Sequence, residues 1–256
     1  MSEMASKKVL ITGGARRIGR AITLDLAAAG WTVAVHYNTS EAEAKTVADE
    51  ISGKGGEAAT VKADLAVEDE AAGLIERATE RIGPITCLIN NASVFQKDTP
   101  ETVTKETWDS HMQVNLRAPL QLTQAFSRAL SDGAEGNVIN LIDQRVWNVT
   151  PYFTSYTVSK VALWGLTQNL ALALAPRIRV NAIGPGPTLP SVHQSDEQFQ
   201  RQWSSLPLAR SVMPEEICRA VRFLLDAPSI TGQMIVLDGG QQLGWAPGLP
   251  GGGTAE

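Results

Sequence analysis

Short apolar runs of four to six residues alternate along the chain with longer segments whose apolar positions recur every three or four residues. Lys8 to Thr12 is β-rich and breaks into Gly13-Gly14, after which Ile18, Ala21, Ile22 and Leu26 fall at helical spacing with Gly30 as the stop. Thr32 to His36 predicts a second strand. Ser40-Glu41-Ala42-Glu43 reads as a capping box opening a second helix that ends in the glycine-rich stretch 53–56. A third strand over Ala58 to Ala63 precedes a helix whose inner face is Ala71, Leu74, Ile75, Ala78 and Ile82, stopped by Gly83-Pro84. A buried fourth strand over Ile85 to Ile89 follows. The pattern continues with a long helix over Lys105 to Leu130, strand Val138 to Ile142, a helix carrying Tyr156 and Lys160, and strand Ile178 to Ala182. Helix Pro214 to Leu225 and strand Met234 to Leu237 complete it. This alternation predicts right-handed βαβ units and a parallel sheet with helices on both faces. No linker or repeat interrupts it, so one α/β domain is expected over 1–243, followed by a Gly/Pro-rich tail, 244–256, expected to be mobile unless a neighbouring subunit holds it.

Composition narrows the function classes. At 256 residues and 43% hydrophobic the chain can bury a substantial core, and its net charge of -5 comes with no basic run for nucleic acid. The first residues lack a signal peptide's apolar core, and no apolar run approaches the ~18 residues of a membrane span. Cys87 and Cys218 sit in strand-like and helix-like runs without metal-ligand or C-x-x-C spacing, so both read as buried thiols, with no metal expected. A cytoplasmic protein with a small-molecule substrate follows, with neither nucleic acid nor membrane as partner.

Two stretches carry candidate chemistry. Thr12-Gly13-Gly14-Ala15-Arg16-Arg17-Ile18-Gly19 joins the first strand to the first helix. Gly13 permits a tight turn, Gly19 lets the helix pack closely, and the helix N-terminus offers free N–H groups to a pyrophosphate. The second strand ends His36-Tyr37-Asn38-Thr39-Ser40 with no carboxylate before Glu41, and Arg16 is placed to reach a 2′-phosphate, which favours NADP(H) over NAD. Asp64, just past strand three, is a candidate for the adenine amino group, with a turn aspartate as the alternative. The second stretch, Asn140 to Lys160, sets Tyr156 and Lys160 four apart on one helix face. An ammonium there is expected to stabilise phenolate and draw the Tyr156 pKa down from ~10, fitting it for acid–base work. Pro119, four residues after Asn115 in one predicted helix, has no N–H, so the carbonyl of Asn115 loses its partner and a kink is expected there.

With these parts in order, the chain resembles the short-chain dehydrogenase/reductase family from about Lys8 to Gly240. The resemblance rests on T-G-x-x-x-x-I-G at Thr12, N-N-A at Asn90 to Ala92, Asn115, Y-x-x-x-K at Tyr156, and I-G-P-G at Ile183. It implies a single-domain Rossmann-type doubly wound parallel sheet, a nicotinamide cofactor, and a homo-oligomer, with a tetramer favoured. It also implies Tyr156 as acid/base, Lys160 on the nicotinamide ribose, and Asn115, whose freed carbonyl holds a water on the path to the lysine, with the catalytic set. The cofactor wall it implies is drawn from Gly13, Arg16, Arg17, Ile18, Gly19, His36, Asn38, Ser40, Asp64, Leu65, Asn91, Ala92, Ser93, Tyr156, Lys160, Pro185 and Gly186.

Two departures sharpen the resemblance. Asp143 stands where the family's serine would be, thirteen positions before Tyr156, and Arg17 replaces the glycine usual in the middle of the first loop. With Phe95 in N-N-A-S-V-F, these are features of the pteridine reductases, including the dihydromonapterin reductases of bacteria. Such enzymes reduce a pterin C=N bond with NADPH, so Arg17, Phe95, Asp143 and Tyr156 are the expected substrate-binding set. Two other readings remain: a carbonyl or alcohol oxidoreductase on a sugar, steroid or acyl thioester, and an NADP-binding sensor without catalysis. The segment 185–214, with Leu189, His193, Phe199, Trp203 and Leu206, resembles the family's substrate lid by position.

Overall fold

A computed structural model describes residues 7–191 and 194–244. The expected lid residue His193 and the tail beyond Gly244 lie outside the described residues. Seven strands form one sheet: β1 (Lys8–Ile11), β2 (Thr32–Tyr37), β3 (Ala58–Lys62), β4 (Cys87–Asn90), β5 (Gly136–Leu141), β6 (Ile178–Pro185) and β7 (Met234–Leu237). Their order is β3-β2-β1-β4-β5-β6-β7, every neighbouring pair parallel, with Ile11 level with Val35 on one side and Ile89 on the other. Helices α1 (Arg17–Ala28), α2 (Glu41–Gly53) and α9 (Pro214–Asp226) cover one face. The other face is covered by α3 (Glu68–Ala72), α4 (Leu74–Ile82), α6 (Ala118–Ala129) and α7 (Thr154–Leu174). Strand periodicity sorts the two cores: Val9 and Ile11 pack under α1 and α9, whereas Leu10 between them packs under α4 and α6. The architecture is the single doubly wound domain expected.

Three local features differ from the sequence pattern. The third helix is two, with Gly73 between α3 and α4. Ser40 precedes α2 but makes no side-chain cap, and the Glu43 carboxylate, the other half of the box, is ion-paired with Arg16 instead. The long helix runs as α5 (Lys105–Met112), a π turn (Gln113–Arg117) and α6, with Ala118 keeping helical dihedrals (φ -61°, ψ -47°). The missing N–H of Pro119 is thus absorbed by one widened turn rather than by a sharp break.

Strand order reverses between β1 and β4, which opens a crevice at their carboxyl ends. The loop after β1 and the N-N-A-S-V-F segment after β4 both emerge there. Irregular turns after β5 and β6 and helix α8 (Asp196–Ser204), capped by Ser195 with Gln198, complete its walls.

Candidate active site

The turn after β1 is built from hydrogen bonds that local sequence alone could not specify. Gly13 takes φ +62°, and its N–H donates to Nδ1 of His36 (3.0 Å), while the Gly14 N–H donates to the His36 carbonyl (3.0 Å). A backbone N–H can only donate, so Nδ1 is the acceptor and the imidazole proton sits on Nε2, facing the Ala63 carbonyl at 3.1 Å. Burial pulls the His36 pKa down to about 4, and the ring stays neutral. His36, expected at the cofactor, does line the cavity, but it spends both ring nitrogens propping the turn. Thr12 Oγ1 accepts from the N–H groups of Asn91 and Ala92 (2.9 and 3.0 Å), and Asn91 Nδ2 donates to the Thr12 carbonyl (2.8 Å). The β1 and β4 loops are thereby clamped together. A Cβ at Gly19 would stand 2.2 Å from the Gly13 carbonyl oxygen and 2.5 Å from Asn91 Nδ2, so no other residue fits where α1 crosses the turn. Arg17, in place of the usual glycine, does adopt the left-handed conformation glycine favours (φ +53°) and reaches across to the Leu189 carbonyl at 3.2 Å.

The second half of the site gathers at the end of β5. Asp143 Oδ2 accepts from the Tyr156 phenol at 2.9 Å, and Oδ1 accepts from the Arg145 N–H at 2.8 Å. Lys160 is buried and donates to the Leu141 carbonyl at 2.9 Å. Burial, and then the Asp143 carboxylate, hold the Tyr156 phenol well above its ordinary range, with Arg145 opposing. The expectation that Lys160 would make Tyr156 more acidic is corrected. A carboxylate bonded directly to the phenol stabilises the protonated form, and burial disfavours phenolate further. Burial raises the Asp143 pKa as well, and it draws the Lys160 ammonium down to about 8 against the pull of Asp143. Phe95 stacks on Phe153 (centroids 4.4 Å apart, planes 9° apart) and stands edge-on to Tyr156 at 4.7 Å. Asn115, fully buried, grips the Phe95 loop: its Oδ1 accepts from the Val94 N–H (2.8 Å) and its Nδ2 donates to the Val94 carbonyl (3.0 Å).

One cavity of about 600 Å³ joins the two halves. Gly13, Arg16, Arg17, Ile18 and Gly19 line its nucleotide-facing end with Asn38 and Ser40, and Asn91, Ala92 and Ser93 line the middle. Phe95, Asp143, Tyr156, Lys160, Pro185 and Gly186 line it further on, together with Leu189 and Phe199. Asp64 and Leu65 do not reach it. Asp64 Oδ1 accepts from the Ala66 N–H at 2.9 Å, the turn role considered as its alternative, and Leu65 is packed in the core under α4. Asn115 lies behind the cavity wall rather than on it. Ser93 Oγ is engaged with Asn115 Oδ1 at 3.1 Å. Sequence reasoning missed Gln144, Arg145, Gln202 and Gln241, which also line the cavity. The first two directly follow Asp143 and were within reach of inspection. Gln202 and Gln241 carry no motif and arrive only through folding. Both cysteines are free and buried, and no group of metal-ligating residues occurs among the described residues.

A crevice of this build at the switch point of a parallel sheet, with a buried Tyr/Lys pair beside it, defines an oxidoreductase of the dinucleotide-binding α/β class. The chain belongs to the short-chain dehydrogenase/reductase family: residues 13–242 match the family model described as enoyl-(acyl carrier protein) reductase. An uncharacterized oxidoreductase of Methylorubrum extorquens is 35% identical over 94% of this chain and 99% of its own. The 3-oxoacyl-[acyl-carrier-protein] reductase FabG of Staphylococcus aureus is 32% identical over 93% of this chain and 99% of its own. Among solved structures, the FolM alternative dihydrofolate reductase 1 of Brucella canis, complexed with NADP, superimposes with a TM-score of 0.90 at 50% identity, covering 95% of this chain and 97% of that one.

Proposed function

We propose that this protein is an NADPH-dependent reductase that delivers hydride to a C=N bond of a pterin-type substrate, a dihydropterin or dihydrofolate. The observation that carries the reading is the phenol of Tyr156 held protonated by Asp143, with the Phe95 ring against it, on the wall of the cavity. The 50% identity to the Brucella alternative dihydrofolate reductase supports it.

The chain's own residues fit NADP(H). The first turn of α1 carries no acidic residue and no side-chain cap, so its N–H groups remain for a pyrophosphate. Arg16 stands at the rim near the end of β2, where no carboxylate precedes Glu41. Its exposed ion pair with Glu43 is of the weak kind that a phosphate dianion displaces. NADPH supplies the hydride. Lys160 holds the nicotinamide ribose with the protons its bond to Leu141 leaves over, and Phe95 offers a flat face for a heteroaromatic ring. Tyr156 donates its proton to the ring nitrogen, and the cations of Lys160 and Arg145 offset the charge left on the phenol. Asp143 keeps lone pairs beyond its bonds to Tyr156 and Arg145 for the donor-rich edge of a pterin, which a serine could not supply with two oxygens. The expected homotetramer and the cytoplasmic location belong to the same proposal, and light scattering on the purified protein tests the first.

A second reading, reduction of a carbonyl in an acyl thioester, is favoured by the family model and the FabG relatives. NADPH oxidation followed with dihydropterins, dihydrofolate and a 3-oxoacyl thioester separates the two. The pterin reading predicts turnover of the heterocycles alone, and turnover confined to the thioester would replace it.

A further inference from the structure

Helix α7, which carries Tyr156 and Lys160, has a poorly equipped N-terminus. Its cap position is Phe153, a left-handed residue (φ +59°) whose side chain offers no hydrogen bond to the helix. The missing cap comes from the loop after β4. Asp98 is buried (2% exposed). It accepts from the Ser155 N–H through Oδ1 (3.2 Å) and from the Ser155 hydroxyl through Oδ2, while its carbonyl accepts from the Phe153 N–H at 2.7 Å. The Ser155 oxygen also lies 2.7 Å from Nδ1 of His111, a residue of α5 with no solvent exposure. Nε2 of that imidazole accepts from the N–H of Gln96, the residue next to Phe95 (3.1 Å).

The proton order along this chain is fixed. The Gln96 N–H can only donate, so Nε2 accepts and a neutral ring carries its proton on Nδ1. Nδ1–H then donates to Ser155, and the Ser155 hydroxyl donates to Asp98. Burial disfavours the charged imidazole, with Asp98 opposing, in keeping with that neutral form. The two ends meet again in the rings: Phe95 stacks on Phe153 and stands edge-on to Tyr156, and His111 lies 6.0 Å from Tyr156. Neither Asp98 nor His111 lines the cavity.

We infer that Asp98 and His111 are positioning residues that, through Ser155, lock the Phe95 loop onto the start of α7 and set where the Tyr156 phenol meets the ring to be reduced. The ring itself rests on the function proposed above, whereas the lock does not. An error of an ångström at the proton donor costs about a hundredfold in rate, so a residue outside the cavity can matter this much.

The test compares His111→Leu, His111→Gln and Asp98→Asn in the full-length enzyme with NADPH bound. Leucine removes both bonds. Glutamine restores one acceptor and one donor without a titrating ring. Asparagine keeps the volume but presents an N–H to a hydroxyl that already receives one. The expected result is a fall in kcat with a dihydropterin of about tenfold or more for leucine and asparagine, with NADPH affinity unchanged and recovery in the glutamine variant. Amide hydrogen exchange at 94–99 and 153–157 is expected to speed up in the same two variants and not in the third. Wild-type exchange rates in Asp98→Asn, or a glutamine variant no better than leucine, overturn the inference. A wild-type enzyme that ignores every dihydropterin while the exchange pattern holds overturns the proposed substrate and leaves the lock standing.

Discussion

Tyr156 and Asp143, thirteen residues apart in sequence, share one hydrogen bond of 2.9 Å on the wall of the cavity, the tyrosine buried and the aspartate half-buried. The phenol is the donor, which makes it an acid in waiting rather than a base. On the function proposed above, Asp143 takes the place of the family's serine in holding the tyrosine, and its charge keeps the phenol protonated. Tyr156→Phe removes the proton and leaves the ring, so kcat is expected to fall by about a hundredfold to ten-thousandfold with little change in NADPH affinity. Asp143→Ala is expected to lose both kcat and pterin affinity, since the carboxylate is assigned to both tasks. Steady-state kinetics with fluorescence titration of NADPH check the pair, and a Tyr156→Phe enzyme of undiminished rate would remove the phenol from the mechanism.

The same site sets a pH profile. The Asp143 pKa is raised by burial, so the carboxylate takes up a proton as pH falls through a value above the ~3.9 of an ordinary aspartate. Lys160 is drawn down to about 8 and loses its charge as pH rises through that value. A bell in kcat/KM follows, because this ratio reports the free enzyme. Asp143 is what opposes the fall of the Lys160 pKa, so Asp143→Asn is expected to abolish the acid limb and move the alkaline limb to lower pH. An alkaline limb that stays in place would show that another group sets it.

Much of this was legible in the chain because the fold is written in local periodicity. Lys8 to Thr12 and Thr32 to His36 alternate between two buried faces, Met234 to Leu237 is a half-buried run, and all became strands in a parallel sheet. Arg17, Phe95, Asp143, Tyr156 and Lys160 converge on one cavity as expected from their order after successive strands. What escaped is what depends on distant partners. Glu43 is pulled from the capping box by Arg16, twenty-seven residues away in sequence. The acidity of Tyr156 follows from burial and from Asp143, neither visible in a Tyr/Lys spacing. Leu65 has the sequence position of a cofactor contact and the environment of a core residue.

His36 gives a stability prediction with a definite sign. Its folded-state pKa, about 4, lies below the 6.5 of a free imidazole. Between those values the unfolded chain binds a proton that the folded chain refuses, so this group's contribution is complete above pH 6.5 and is lost as pH falls towards 4. The loss amounts to about 3 kcal/mol, and about 10 °C in Tm for a chain of this size. His36→Gln keeps an acceptor for the Gly13 N–H and a donor for the Ala63 carbonyl without titrating, so its Tm is expected to vary less over that range. Asp143, whose pKa is raised, pulls the other way in both proteins and cancels in the comparison. Calorimetry across the window checks this, and parallel curves would clear His36 of the effect.

Arg17 separates backbone preference from function at a single residue. Its φ of +53° disfavours a side chain by about 1 kcal/mol, whereas glycine adopts it freely. Arg17→Gly is therefore expected to leave Tm unchanged or raised. The guanidinium bond to the Leu189 carbonyl, 3.2 Å long, is lost in exchange, and with it the bridge between the nucleotide turn and the segment roofing the cavity. That contact is exposed and contributes no more than about 1 kcal/mol to the fold, which the relieved strain offsets, whereas a guanidinium meeting the substrate as proposed contributes about 1.5–3 kcal/mol to its binding, so the KM for a dihydropterin is expected to rise by about tenfold or more. Thermal melts and kinetics on one preparation read both quantities. A glycine variant with lowered Tm and unaltered KM would make Arg17 a structural residue, and the strain it carries would then need another explanation.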